Sequence, residues 1–167
     1  MSPELTQNLF ERYPLLFKSR HQGVHRSLMG FGFAHDDGWY NLLNVLFGLI
    51  YADYEQAKSR YAYLREHEGQ APYKGAEVIG AVDVERARLK MASAEAALPQ
   101  AVQVKEKFGT LRVYMDGCNE AVSAYITFAE ALSGSTCEKC GAPGRRQGRG
   151  WIRTLCDTHA KAQASDD

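Results

Sequence analysis

Two ligand pairs constrain this chain more than anything else in it. Cys137-Glu-Lys-Cys140 is followed by Cys156-Asp-Thr-His159, with the same two-residue gap inside each pair. That gap lets both side chains of a pair reach one ion, and thiolate sulfur with imidazole nitrogen is a donor set of tetrahedral zinc. Cys137, Cys140, Cys156 and His159 together close the coordination shell. No position is left for water or substrate, so the expected cofactor is a structural Zn²⁺ that supports folding. In small zinc modules such binding is worth about 10–16 kcal/mol at neutral pH. The competing readings of the same residues are a disulfide beside a stray histidine and an unmetallated redox pair.

The residues between the pairs narrow the kind of module. Gly141-Ala-Pro-Gly144 suits a tight knuckle, and Gln147-Gly-Arg-Gly150 suits the turn of a hairpin returning through Trp151-Ile-Arg-Thr-Leu155. Cys156 and His159 then open a helix running to Ala164, with Asp157 favourably placed in its first turn. Knuckle, hairpin and ligand-bearing helix predict a treble-clef finger over residues 134–167.

The rest of the chain is expected to lead into this finger. Its 167 residues suit one domain with an appendage, and 45% hydrophobic against 24% charged residues is a globular composition. The formal charge of zero removes any whole-protein electrostatic case for nucleic acid, though not a local one. No apolar run is long enough to cross a membrane, and the start, Met1-Ser-Pro-Glu-Leu5, lacks the basic and apolar regions of a signal peptide. Cys118 has no evident partner, and thiolate ligands need reducing conditions; a cytoplasmic location is the expectation.

Residues 4–18 predict a short helix presenting Leu5, Leu9 and Phe10 and stopping near Pro14. His21-Gln-Gly-Val-His25 has a metal-like spacing, but Gln22 stands where a zinc protease carries its glutamate and Gly23 disfavours a helix, so a polar loop is expected. Gly30-Phe-Gly-Phe33 reads as a short extended piece. His35, Asp36 and Asp37 could serve as acid and base; the favoured reading is that Asp36 or Asp37 caps the next helix.

That helix carries Trp39, Leu42, Leu43, Leu46, Phe47, Ile50 and Tyr54 at three- and four-residue steps, a core-facing stripe. Beyond it the stripe narrows to Tyr54, Ala57, Tyr61 and Leu64, and after Gly69–Gly75 a second narrow seam follows at Val84, Ala87, Met91, Ala94 and Leu98. Two such seams predict an antiparallel helical hairpin over residues 54–98, inserted in an α+β body of residues 1–53 and 99–133. Within the body, Val102 and Val104, then Leu111, Val113 and Met115, alternate with polar residues around Lys107-Phe-Gly-Thr110, which predicts a small antiparallel β-hairpin. A helix over residues 119–132, with Val122, Tyr125, Ile126, Ala129 and Leu132 on one face, should cover it and end at Gly134.

Gly38-Trp-Tyr-Asn-Leu-Leu43, Val104-Lys-Glu-Lys-Phe-Gly-Thr-Leu-Arg-Val-Tyr114, Ala129-Glu-Ala-Leu132 and the block from Cys137 to Ala160 together resemble a family of small, mostly uncharacterised proteins of tailed bacteriophages and prophages. Shorter members of that family run from the Gly-Trp-Tyr helix to the Lys-Glu-Lys-Phe-Gly hairpin with much less between, which implies that residues 54–98 are an insertion. The resemblance supplies no catalytic residues. It implies a phage protein working in the bacterial host cytosol to redirect or disable a host system.

Three functional readings follow. The first is a non-enzymatic factor that binds a host bacterial protein, with Tyr54, Tyr61, Tyr63, Tyr73 and Trp151 as candidate anchors and a homodimer allowed. The alternative is a nucleic-acid-binding finger using Arg145, Arg146, Arg149 and Arg153, where glycines would let phosphates approach. The third is a metal-dependent nuclease or hydrolase built from His35, Asp36 and Asp37 with His21 or His25, although no nucleophile elbow, phosphate loop or dinucleotide fingerprint is present.

Overall fold

Phenylalanine rings from distant points of the sequence meet in the first of two units. In the computed structural model, which describes residues 1–148 and 150–166, these units are Met1–Leu49 with Pro99–Asp167, and Ile50–Leu98. Helix α1 (Pro3–Arg12) delivers Leu9 and Phe10, and a 3-10 segment (Pro14–His21) starting at the expected proline delivers Leu16 and Phe17. Phe10 packs edge-on to Phe17 at 4.9 Å, Phe17 edge-on to Phe47 at 5.3 Å, and Phe33 lies against Phe10 at 5.6 Å. Each such pair adds about 0.5–1.5 kcal/mol beyond the area it buries. Phe47 and Leu43 come from helix α2 (Tyr40–Glu66), which starts in this unit directly after a 3-10 turn at Asp37–Trp39. Gly30–Phe33 is not extended: Met29–Phe31 forms a 3-10 turn, and Gly32 takes a φ of 78°.

Strands β1 (Gln100–Lys107) and β2 (Thr110–Asp116) pair antiparallel, as the alternation predicts. A bulge between Ala101 and Gln103 shifts the face, however, so Ala101 and Val104 are buried and Val102 is not. The extra residue frees the Val102 carbonyl to accept from Leu28 N at 2.8 Å and from Ser27 Oγ at 3.3 Å. Both sheet edges are covered. Ala34 bridges to Lys105 on one side, while on the other helix α4 (Glu120–Ser133) answers the outward N–H groups of β2 with side chains: Ser133 Oγ accepts from Leu111 N at 2.8 Å and Glu130 Oε1 from Val113 N at 2.9 Å.

Helix α4 starts within a residue of the predicted bound, and Asn119 caps it: its Oδ1 accepts from Val122 N at 2.9 Å. Val122, Ala129 and Ser133 are its buried face. Tyr125, Phe128 and Leu132, about a quarter turn away, stay exposed, so the hairpin covers less of α4 than its apolar stripe suggests. Past α4 the chain forms a knuckle, then strands β3 (Arg145–Gln147) and β4 (Arg153–Leu155), then helix α5 (Asp157–Asp166), in treble-clef order.

The second unit is the predicted antiparallel helical pair. Leu64 near the end of α2 packs with Ala87 and Val84 near the start of α3 (Ala81–Ala96), together with Tyr61 and Ile79. Ile79 lies outside both predicted seams. It is carried in by the connection, where Gly69 N donates to Ile79 O and Ile79 N to Gln70 O, each at 2.9 Å. Gly80 opens α3, with its N–H donating to Asp83 Oδ2 at 3.0 Å. Ion pairs such as Arg88–Glu85 at 2.7 Å lie on the exposed outside, where they contribute little.

Candidate metal centre

Cys137 follows the turn that ends α4, and its N–H donates to Ala142 O at 2.7 Å while its carbonyl accepts from Gly141 N at 2.8 Å. These two bonds curl the Cys-Glu-Lys-Cys segment into a knuckle; Gly141 takes the φ of 78° that the curl requires. Cys156 immediately precedes α5, and Ala160 N donates to its carbonyl at 2.9 Å, which places His159 in the first helical turn, facing the knuckle. Glu138 N donates to Thr154 O at 2.9 Å and fixes the knuckle to β4.

The four ligand atoms lie within 4.8 Å of one another. Cys140 Sγ and Cys156 Sγ are 3.9 Å apart, His159 Nδ1 is 3.2 Å from Cys156 Sγ and 3.6 Å from Cys137 Sγ. A tetrahedral ion with metal–sulfur bonds of about 2.3 Å has sulfur–sulfur edges of about 3.8 Å, so one ion fits among them. Cys137, Cys140, Cys156 and His159 could therefore bind a metal ion. Burial works to raise the Cys137 thiol, but the N–H groups of Cys156, Cys140 and Lys139 outweigh it and hold the thiol below its ordinary value. Cys156 is also held low, first by the His159 N–H. Cys140 receives the Ala142 N–H, yet burial and its two cysteine neighbours leave it raised, since thiolates packed this closely repel until a cation joins them.

Behind the ligands stands a carboxylate that composition and spacing do not flag. Glu138, between the cysteines of the first pair, is only 4% exposed. Its Oε2 accepts from Arg153 Nε at 3.0 Å and its Oε1 from Asp36 N at 3.2 Å, and Arg153 also pairs with the Asp36 carboxylate. Burial opposes the Arg153 charge, but the two carboxylates more than offset this and hold the guanidinium protonated. Further ties join the segment before α2 to the knuckle: Gly38 N donates to Glu138 O at 2.7 Å and Trp39 Nε1 to Thr136 O at 2.8 Å. Gly38 has no alternative here, because a Cβ on it would meet the carbonyl of Cys137 and lie 2.6 Å from Cys140 N. A glycine directly before a helix was the one signal in the sequence for this close approach.

The acid–base candidates are placed apart. His35 is buried, its Nδ1 donating to Asp36 O at 2.7 Å and its Nε2 without a partner; burial lowers its pKa to about 4. Neither aspartate caps the helix through its side chain: Asp36 holds the N-cap position but points to Arg153, and Asp37 Oδ1 accepts from Ser2 N at 2.5 Å. His21 ends the Pro14–His21 3-10 segment and His25 lies in the turn after it, both exposed. Among the described residues, the cysteine–histidine cluster is the only group of three or more such side chains that could share an ion.

Of the arginines expected to meet nucleic acid, Arg153 is taken up by Glu138 and Asp36, Arg145 is exposed and pairs with Asp157 at 2.8 Å, and Arg146 is exposed with no carboxylate partner among the described residues. Arg149 lies outside the described residues. Of the proposed aromatic anchors, Tyr61 belongs to the helical-pair core, Tyr54 is half-buried, and Tyr63 is exposed with its ring 4.4 Å from that of His67; Tyr73 and Trp151 are freely exposed.

Comparison with protein-family models, curated proteins and solved structures finds no match to the chain. Among the described residues no helix is long and apolar enough to cross a membrane.

Proposed function

We propose that this chain is a zinc-stapled binding protein, non-enzymatic, whose working surface is an apolar groove between α2 and α4. Three thiolates and an imidazole at tetrahedral spacing favour Zn²⁺ over harder cations, and four protein ligands favour a structural role. Three thiolate ligands also suit a reducing cytoplasm.

The groove is the observation that carries the reading. Leu42, Val45, Leu46 and Leu49 of α2 face Tyr125, Phe128 and Leu132 of α4 across a cleft of about 340 Å³ that, among the described residues, no charged side chain lines. Val45 is 62% and Phe128 69% exposed. This volume lies at the low end of the range for binding sites, about 300–1,000 Å³, and a groove between two helices receives the apolar anchors of an amphipathic helix. The partner is a protein segment with a row of large apolar side chains. The resemblance to phage proteins makes a host bacterial protein the first to test.

The test compares the parent protein with Val45→Asp and Phe128→Glu as tagged baits in nuclease-treated bacterial lysate. Both changes sit on exposed side chains, so zinc content and melting should not move. A protein recovered by the parent and lost with both variants supports the groove; recovery unaffected by either substitution overturns it. Sedimentation of the same proteins separates the remaining case, since a parent dimer that Val45→Asp dissociates would make the groove a contact between copies.

A further inference from the structure

The hairpin tips carry exposed aromatic rings that folding does not explain. Phe108 and Gly109 form the two-residue turn between β1 and β2, both with positive φ, 53° and 78°. Such a turn favours Asn-Gly, and a bulky side chain in the left-handed region is strained. Phe108 recovers little by packing, being 63% exposed. The second tip has the same character: Trp151, between β3 and β4, is 72% exposed.

The two tips are held against each other. Thr154 Oγ1 donates to Gly109 O at 2.5 Å, and a Cβ on Gly109 would lie 3.1 Å from Ile152 Cγ2 and 3.3 Å from Arg153 Cα. The residue after Phe108 thus touches the residue after Trp151. Charge follows the rings. Between Lys139 and Cys156 the sequence holds Arg145, Arg146, Arg149 and Arg153 and no acidic residue. Among the described residues Arg146 has no carboxylate partner; it lines an open cleft of about 620 Å³ with Thr110, Ser135 and Arg112, the last paired with Glu130 at 3.7 Å. The Lys107 ammonium sits 5.5 Å from the Phe108 ring centre.

We propose that the adjoining hairpin tips bind single-stranded nucleic acid, Phe108 and Trp151 stacking on bases while Lys107 and Arg146 meet the phosphates. This surface is distinct from the groove and does not depend on it. Stacking on an exposed ring needs an unpaired base, whose faces a duplex hides, and it is tolerant of sequence. A neutral protein brings little long-range attraction, so the salt dependence should report only the local contacts: two phosphates on a single strand give a log–log slope of about −1.4.

The test is fluorescence anisotropy of labelled (dT)12 with the zinc-loaded full chain, alongside its melting temperature. Phe108→Asn should weaken binding about tenfold while raising stability, because Asn accepts the left-handed turn that Phe does not. Trp151→Ala should weaken binding by a similar factor, Arg146→Ala should lower the salt slope by about 0.7, and Val45→Asp should change nothing. No binding at 100 µM protein, taken as about the weak end of non-specific affinity, would overturn the proposal. So would unchanged affinity in both aromatic variants, or inorganic polyphosphate competing as well as (dT)12, which would leave an anion contact without stacking. Loss of a lysate protein partner, instead of (dT)12, in Phe108→Asn would assign the tips to protein contact and overturn it as well.

Discussion

Glu138 lies between two cysteines of the candidate metal centre, and at 4% exposure its carboxylate depends wholly on the groups that meet it. Arg153 Nε at 3.0 Å and Asp36 N at 3.2 Å are those groups. Removing one partner of a buried charge pair costs about 3–5 kcal/mol, mostly the uncompensated charge left behind, whereas replacing both by apolar groups is often neutral. Arg153→Met is therefore expected to lower the unfolding free energy by about that amount in urea titrations of the zinc-loaded protein, and Glu138→Met with Arg153→Met to restore most of it. Equal losses in the single and double variants would show that Arg153 acts through its packing and not by neutralising Glu138. Nothing in the residue types announced this pair. A glutamate between ligand cysteines looks like a solvated one, and an arginine in a basic hairpin looks like a surface cation; only the 15-residue closure brings them together.

At the scale of elements, most of what the chain spells locally is what the structure returns; Gly30–Phe33, expected extended and found turning, is an exception. Ligand spacing, helical periodicity and turn residues are short-range properties, so the knuckle, the β3–β4 hairpin, α5, the paired helices and α4 are all legible. What an element packs against is not. The bulge at Val102 has no sequence mark, and the α4 stripe does not say that only one flank meets β2. The docking of the Asp37–Trp39 turn on the knuckle is of this second kind, and it joins the metal centre to the start of α2. Gly38→Ala tests the junction. Its Cβ would lie 2.5 Å from Gly141 N and 2.6 Å from Cys140 N, backbone atoms with no room to yield. The expected outcome is a loss of about 1–3 kcal/mol, as for other overpacked sites, with faster zinc transfer to a chromogenic chelator. Gly150→Ala, which would add its Cβ into open space, is the control and should release zinc at the parent rate. Identical release from Gly38→Ala would mean that the knuckle holds its ligands without help from the body.

At the scale of the molecule, each of the two units has apolar contacts of its own. The first has the Phe10–Phe17–Phe33–Phe47 cluster and the candidate metal ligands; the second has Leu64, Ile79 and Ala87 with Tyr61 and Val84. If folding of the first does not draw on the far end of the second, the helical pair can be shortened without touching metal or groove. Arg60 and Ala87 line one small cleft between the paired helices, so they face each other and can be joined after removing residues 61–86. A turn of about four Gly and Ser residues suffices, since antiparallel helices are commonly linked by 2–5. The shortened protein loses the Leu64 cluster but keeps the groove-lining residues 41–49 and 125–132 and both hairpin tips. It should bind one equivalent of zinc, retain the near-ultraviolet signal of its buried aromatic rings, and keep whatever (dT)12 affinity the parent has. Loss of zinc and of that aromatic signal would show that the body folds only with the whole arm, and would turn residues 54–98 from an inserted element into part of the core.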